Sequence, residues 1–149
     1  MRRGRHRTPG ERFIEAEAEI RVRFQEVDLM GVAWHGHYLG FFETARAVFG
    51  ERHGLEYMAM REHGFVAPIV HAEVDYFRSA RLGERLTVRA RLHPEPGAWM
   101  TYTYLVTSPD CDKLATGQTV QAFTDLEGKL LLTRPAFYEE WLQRCDGST

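Results

Sequence analysis

Tyr38-Leu39-Gly40-Phe41-Phe42-Glu43-Thr44-Ala45-Arg46-Ala47-Val48-Phe49 is the stretch on which the fold turns. Its apolar side chains fall at 38, 39, 41, 42, 45, 47, 48 and 49, more than the single stripe with which a helix covers a core from one side. The reading is a helix buried nearly all round. Arg52, His53 and Gly54 close it, because cations suit the negative end of a helix and glycine takes the left-handed cap conformation. A shorter helix is predicted over 56–63, ended by Gly64.

Outward from that helix the period changes to two. Upstream, Ile20, Val22 and Phe24 alternate with Arg21, Arg23 and Gln25, the end of a strand predicted over 13–24. Downstream, Val70, Ala72, Val74 and Tyr76 alternate with His71, Glu73, Asp75 and Phe77, and Leu86, Val88, Ala90 and Leu92 alternate with Arg85, Thr87, Arg89 and Arg91. Both are strand patterns. Turns at Pro94-Glu95-Pro96-Gly97 and Ser108-Pro109-Asp110 bound a strand over 99–107, and another strand is predicted over 114–124. Asp125-Leu126-Glu127-Gly128 connects that strand to a short one over 129–133, and Pro135 opens a last helix through Trp141. Links this short make consecutive strands antiparallel. The fold class is therefore α+β, one antiparallel sheet wrapped around a long central helix. A single copy leaves sheet edge and aromatic surface uncovered, so a dimer is expected whose paired edges include 69–77.

The chain has 149 residues, 44% hydrophobic and 27% charged. That is one globular domain, placed at 13–144, large enough to fold without disulfides or a structural metal. Runs such as Leu130-Leu131-Leu132 fall far short of the roughly 20 apolar residues of a membrane span. Cys111 and Cys145 form no CxxC pair, and no apolar stretch near the start resembles a secretory signal, so a cytoplasmic location is expected. Residues 1–12 are expected to form a disordered arginine-rich tail, and 145–149 a short C-terminal one. Without residues 1–12, which hold five arginines and one glutamate, 14 basic and 20 acidic groups remain, a net of −6. Such a body repels phosphate backbones, so no nucleic-acid partner is expected.

No GxSxG, GxGxxG or GxxxxGK[ST] occurs. His35 and His37 stand two apart without HExxH or CxxC, so neither a metal nor another cofactor is expected. What remains is the segment 28–37, where Asp28 precedes a loop containing Gly31 and then the start of the apolar helix. The first turn of a helix carries N–H groups without intrahelical partners and the positive end of the dipole. An oxygen placed there is stabilised as it becomes anionic. A carboxylate facing it either attacks a carbonyl carbon or takes a proton from water. Such sparse equipment suits a thioester, because a thiol of pKa about 8.5 leaves with little help. The alternative for Asp28 is a loop or helix-capping acid.

These residues carry a resemblance. Val22-Arg23-Phe24-Gln25-Glu26-Val27-Asp28-Leu29-Met30-Gly31-Val32-Ala33-Trp34-His35-Gly36-His37-Tyr38-Leu39, followed by Phe42-Glu43 and Ala45-Arg46, resembles the signature of hotdog-fold thioesterases of the 4-hydroxybenzoyl-CoA thioesterase class. The likeness extends over about 18–140 and includes Val74-Asp75-Tyr76, Arg78-Ser79-Ala80 and Gly83-Glu84. It implies a sheet of five or six strands around the helix and a homodimer or homotetramer. It places the catalytic carboxylate on Asp28. It places the carbonyl-polarising N–H groups at His35 and Gly36, with the His35 imidazole also tied to activity. Gly31, Trp34 and Tyr38 then line the substrate. In another branch the carboxylate sits on the central helix, which makes Glu43 the rival base; its alternative is a buried acid paired with Arg46. His71 and Glu73 share a strand face directed to a partner's site or to solvent.

The implied substrate is an acyl-CoA or acyl-carrier-protein thioester. At the position where some members grip the CoA phosphates this chain reads His93-Pro94-Glu95-Pro96-Gly97-Ala98, leaving Arg78, Arg81, Arg85 and Arg89 as substitutes. The competing functions are an enoyl-thioester hydratase or dehydratase, and a non-catalytic acyl-thioester binding protein.

Overall fold

The computed structural model describes residues 9–147. Strand β1 (Ile14–Arg21) leads through a 3-10 turn, Phe24–Glu26, and a loop into helix α1 (His37–His53). Helix α2 (Tyr57–Glu62) and strands β2 (Phe65–Val66), β3 (Ile69–Tyr76), β4 (Arg85–His93), β5 (Trp99–Thr107), β6 (Lys113–Ala122) and β7 (Thr124–Asp125) follow, and helix α3 (Ala136–Gly147) ends the chain. Five strands form one antiparallel sheet in the order β1-β4-β5-β6-β3, while β2 and β7 pair separately.

The alternation in β4 does what its pattern implies, since Leu86, Val88, Ala90 and Leu92 are all buried. They belong to one core with Phe41, Phe42, Ala45 and Phe49 of α1. Phe42 stacks flat on Tyr104 with ring centroids 4.3 Å apart, and Phe49 meets Tyr102 edge-on at 5.3 Å. Close approach of helix and sheet depends on Gly117 in β6. Any Cβ there would collide with the Phe42 ring and would come within 2.9 Å of the Glu73 carbonyl oxygen. Gly117→Ala is therefore expected to cost about 1–3 kcal/mol through overpacking, read as a lower urea midpoint with an unchanged slope.

Several expectations need correction. Helix α1 buries Tyr38, Phe41, Phe42, Ala45 and Phe49, but Leu39, Glu43, Thr44 and Ala47 are exposed. The sheet covers only one side of it in a single chain. The strand expected through residue 24 ends at Arg21. There the buried Glu26 carboxylate accepts the Arg23 N–H at 2.8 Å, and the chain folds into a turn that leaves Phe24 exposed. The strand over 114–124 is broken at Phe123, and Thr124, with Asp125 beyond it, turns aside to pair with β2. The tract over 129–133 keeps a single bridge, Thr124 to Leu130, and Arg134 beyond it is tied to the Gly97 carbonyl at 2.9 Å and to the Glu95 carbonyl.

Helix α3 runs on to Gly147, so 145–147 belong to it and not to a tail. Its Trp141 indole donates to the His53 carbonyl at 2.6 Å, locking it to the end of α1. Of the arginine-rich start, residues 1–8 lie outside the described residues, as do 148 and 149. Residues 9–12 touch the body, because the Gly10 carbonyl bonds His93 Nδ1 at 2.8 Å and Arg12 pairs with Asp146.

The two sheet edges differ in kind. On the β1 edge, Glu17 pairs with Arg89 at 2.7 Å and Glu15 with Arg91 at 2.9 Å, charges that discourage strand addition. The β3 edge exposes Ile69, Val70 and Tyr76, with Phe77 just beyond.

Candidate active site

Residues 27–33 form a small hairpin ahead of α1. Val27 and Ala33 bridge antiparallel. The Asp28 N–H donates to the Val32 carbonyl at 3.0 Å, and the Gly31 N–H returns to the Asp28 carbonyl at 3.0 Å. Gly31 has a φ of 75°, a conformation that strains any residue with a Cβ. Asp28 begins the turn, and its Oδ1 accepts the Met30 N–H at 2.8 Å, the bond by which an aspartate fixes its own turn. The side chain is exposed. From outside, the hairpin is held by a Val32 to Arg81 bridge and by Leu82 N–H donating to the Gly31 carbonyl at 3.2 Å.

Gly36 then caps α1, and the His37 N–H donates to the Trp34 carbonyl at 3.0 Å. That tight turn sets the helix start at His37, one residue before the Tyr38 with which the apolar stretch opens. Helix geometry leaves the amides of Gly36, Tyr38 and Leu39 without carbonyls of the same helix, at its positive end. Gly36, one of the two amides that the resemblance points to, is the cap of the helix, and His35, the other, lies one residue before it. The Trp34 indole lies across Gly36, where any Cβ would strike it, and packs 4.7 Å from the His35 ring and 5.4 Å from the His37 ring.

A hollow of about 240 Å³ adjoins this helix start, with His35, Tyr38, Tyr76, Arg78 and Ser79 among its walls. The Tyr76 hydroxyl donates to the His35 carbonyl at 2.6 Å. Burial, and then the neighbouring Tyr38, raise the Tyr76 phenol above its ordinary value, so it stays protonated as a donor. Tyr38 Oη accepts the Ala80 N–H at 3.0 Å in a buried position. Tyr38→Phe strands that amide and is expected to cost about 1–3 kcal/mol, measured by chemical unfolding. Arg78 donates to Glu84 at 2.8 Å. That hydrogen bond holds the Glu84 carboxyl below its ordinary value and stiffens the loop behind the hollow.

His35 and Tyr38 are thus brought together, while Asp28 is not among the walls of the hollow. Glu43 does not form the expected buried pair with Arg46. It is exposed, and Arg46 Nη1 donates to Tyr104 Oη at 3.0 Å, which in turn bonds Thr119 at 2.6 Å. Glu43 and Arg46 instead line a larger cavity of about 740 Å³ farther along α1, with Met58, Ile69, Met100 and Gln121. His71 and Glu73 lie on the β3 edge, 3.8 Å apart. Among the described residues, no cluster of three histidine, cysteine or acidic side chains could hold a metal ion. Two site residues escaped the sequence reading, Tyr76 and Gln121. Tyr76 read only as a strand aromatic, and Gln121 had a visible signal, a polar residue on the face that carries Ala115, Gly117, Thr119 and Phe123.

The family model described as the thioesterase-like superfamily matches residues 22–144, and the chain belongs to that family. With its sheet wrapped on α1, it is a thioesterase of the hotdog fold. It is 29% identical over 94 residues to a putative acyl-CoA thioesterase, YneP, of Bacillus subtilis, a match covering 63% of this chain and 68% of that one. It is 28% identical over 141 residues to a putative esterase of Synechocystis, covering 92% and 85%. Among solved structures, a DHNA-CoA thioesterase from Staphylococcus aureus superposes with a TM-score of 0.80 at 24% identity, covering 89% of this chain and 91% of that one, a likeness of fold.

Proposed function

We propose that the protein hydrolyses acyl-CoA thioesters to free acid and CoA, using Asp28 and the start of α1. The observation that carries the reading is the hollow beside the α1 N-terminus, walled by His35, Tyr38 and Tyr76, at the end of the helix whose first amides lack intrahelical carbonyls. A thioester carbonyl oxygen directed at those amides gains stabilisation as it takes up negative charge. The Asp28 carboxylate either deprotonates the water that attacks the carbonyl carbon, so that the C–S bond breaks to free acid and thiolate, or attacks that carbon itself, expelling the thiolate and leaving an acyl–aspartyl anhydride that water then hydrolyses to the free acid. Tyr76 holds the His35 carbonyl and thereby the entry to the helix.

The catalytic unit in this reading is a dimer closed through β3. Its apolar exposed edge supports that, against the charged edge of β1. A two-fold axis through the middle of β3 sets Ile69 of one copy beside Tyr76 of the other. Within one chain those ends are about 24 Å apart at 3.4 Å per residue. Pairing therefore brings the larger cavity, at the Ile69 end, up to the hollow of the other copy, at the Tyr76 end. The large cavity then receives the acyl group. Two free cysteines and the lack of any helix long and apolar enough to cross a membrane among the described residues support a cytoplasmic setting. Thiol release over a panel of short, long and aryl acyl-CoA thioesters tests the function. Hydration of an enoyl thioester without thiol release, or binding without turnover, would overturn it.

A further inference from the structure

We propose that Arg21, Arg81 and Arg85 form the site for the nucleotide phosphates of the CoA substrate, an inference that rests on the acyl-CoA hydrolysis proposed above. Sequence alone offers Arg78, Arg81, Arg85 and Arg89 without ranking them. The structure separates them by what each guanidinium already holds. Arg78 is committed to Glu84 at 2.8 Å, and Arg89 to Glu17 at 2.7 Å. Neither Arg81 nor Arg85 makes a side-chain hydrogen bond or an ion pair among the described residues, and both are exposed.

The strand register adds a third cation. Along the β1–β4 ladder the charged partners are opposite in sign at Glu15 to Arg91 and at Glu17 to Arg89, but the last pair is Arg21 to Arg85. Side chains directly opposite in an antiparallel pair stand about 5 Å apart, and like charges there repel. The nearest acid on that face is Glu19, one pair back and opposite Thr87, a single charge against two. An anion of two or more charges is the complement that turns this repulsion into binding.

The cluster lies where the proposed reaction needs it. Arg81 bridges Val32, and Leu82 donates to the Gly31 carbonyl at 3.2 Å, so this end of the sheet abuts the hairpin that carries Asp28. Gly83 N–H donates to the Val22 carbonyl at 2.9 Å, tying the Arg81 turn to the residue after Arg21. Phe24, 81% exposed, and Leu82, 50% exposed, give an adenine ring an apolar surface beside the phosphates. In a chain body of net charge −6 outside residues 1–12, Arg21, Arg81 and Arg85, with Glu84 beside Arg81 already hydrogen-bonded to Arg78, are a local reversal of sign.

The test compares three thioesters of one acyl group, on CoA, on 3′-dephospho-CoA and on pantetheine, with the wild type and the Arg81→Gln and Arg85→Gln variants. Each variant is expected to raise KM for acyl-CoA roughly 10-fold, the scale of one charge-assisted hydrogen bond. Its kcat stays unchanged and its KM for acyl-pantetheine is unaltered. Added salt should raise the wild-type KM for acyl-CoA more steeply than that of either variant. An unchanged KM, or an equal loss on acyl-pantetheine, overturns the assignment. Calorimetric binding of adenosine 3′,5′-bisphosphate is read alongside and needs no turnover. Binding that weakens in both variants supports the site even if no thioester is hydrolysed, a result that would sink the catalytic reading alone. Absence of binding to the wild type rejects the site, and an acidic carrier protein is then the donor to examine.

Discussion

Asp28→Asn is expected to lose roughly 10²- to 10⁴-fold in kcat for acyl-CoA hydrolysis, the range contributed by a positioned acid or base. The amide has nearly the shape of the carboxylate, and its carbonyl oxygen still accepts the Met30 N–H that Oδ1 accepts at 2.8 Å. The turn closed by Gly31 therefore survives, and the variant should fold and assemble as the wild type does. What disappears is the negative charge, and with it the nucleophilicity toward the carbonyl carbon and the basicity that takes a proton from water. The measurement is thiol release under saturating substrate, with unfolding and sedimentation run in parallel. Glu43→Gln is the control, because Glu43 lies on α1 along the wall of the larger cavity. If Asp28→Asn turns over at the wild-type rate while Glu43→Gln is dead, the carboxylate on the central helix is the base and the hairpin acid is only a turn former.

If the proposed dimer closed through β3 is the catalytic unit, Val70→Glu should leave monomers and remove at least about 100-fold of the activity, the scale of a misplaced substrate. Val70 is exposed on the β3 edge. With a two-fold axis through the middle of that strand it stands opposite Asp75 of the second copy. The substitution therefore sets a glutamate against an aspartate twice per dimer, in place of an apolar contact. Because Val70 already faces outward, the isolated chain gains no buried charge, and its own stability should change by less than about 0.5 kcal/mol. Sedimentation reads the assembly state and thiol release reads the activity. Loss of activity follows from losing the cavity that the second copy brings beside the hollow. A monomeric variant with full activity would show instead that one chain holds the whole site.

Much of the architecture was legible in advance because it rests on local periodicity. Leu86, Val88, Ala90 and Leu92 could be assigned to one buried face from alternation alone, and all four are buried. Gly54 was recognisable as the end of α1 and adopts the left-handed cap, with a φ of 74°. The failures occur where hydrophobic period alone does not decide the conformation. Phe24 continues a period of two but is turned outward where the Glu26 carboxylate, two residues on, accepts the Arg23 N–H. Leu130, Leu131 and Leu132 looked like a strand and find only one bridge. The apolar excess of α1 implies burial nearly all round, whereas Leu39, Glu43, Thr44 and Ala47 stay exposed in the single chain.

The candidate site divides along the same line. Sequence by itself determined the order of parts: an acid, a glycine bend, and an apolar helix whose opening amides have no intrahelical partners, because chain reversal and helix termination follow from residues close in sequence. Tertiary structure alone decided which side chains surround that opening. Tyr76 reaches His35 from 41 residues away, Ala80 finds Tyr38 across 42, and the register of β1 on β4 decides that Arg21 faces Arg85 while Glu17 faces Arg89. Contacts of that kind depend on how the sheet is ordered and how the helix crosses it, and no local pattern of residues encodes either.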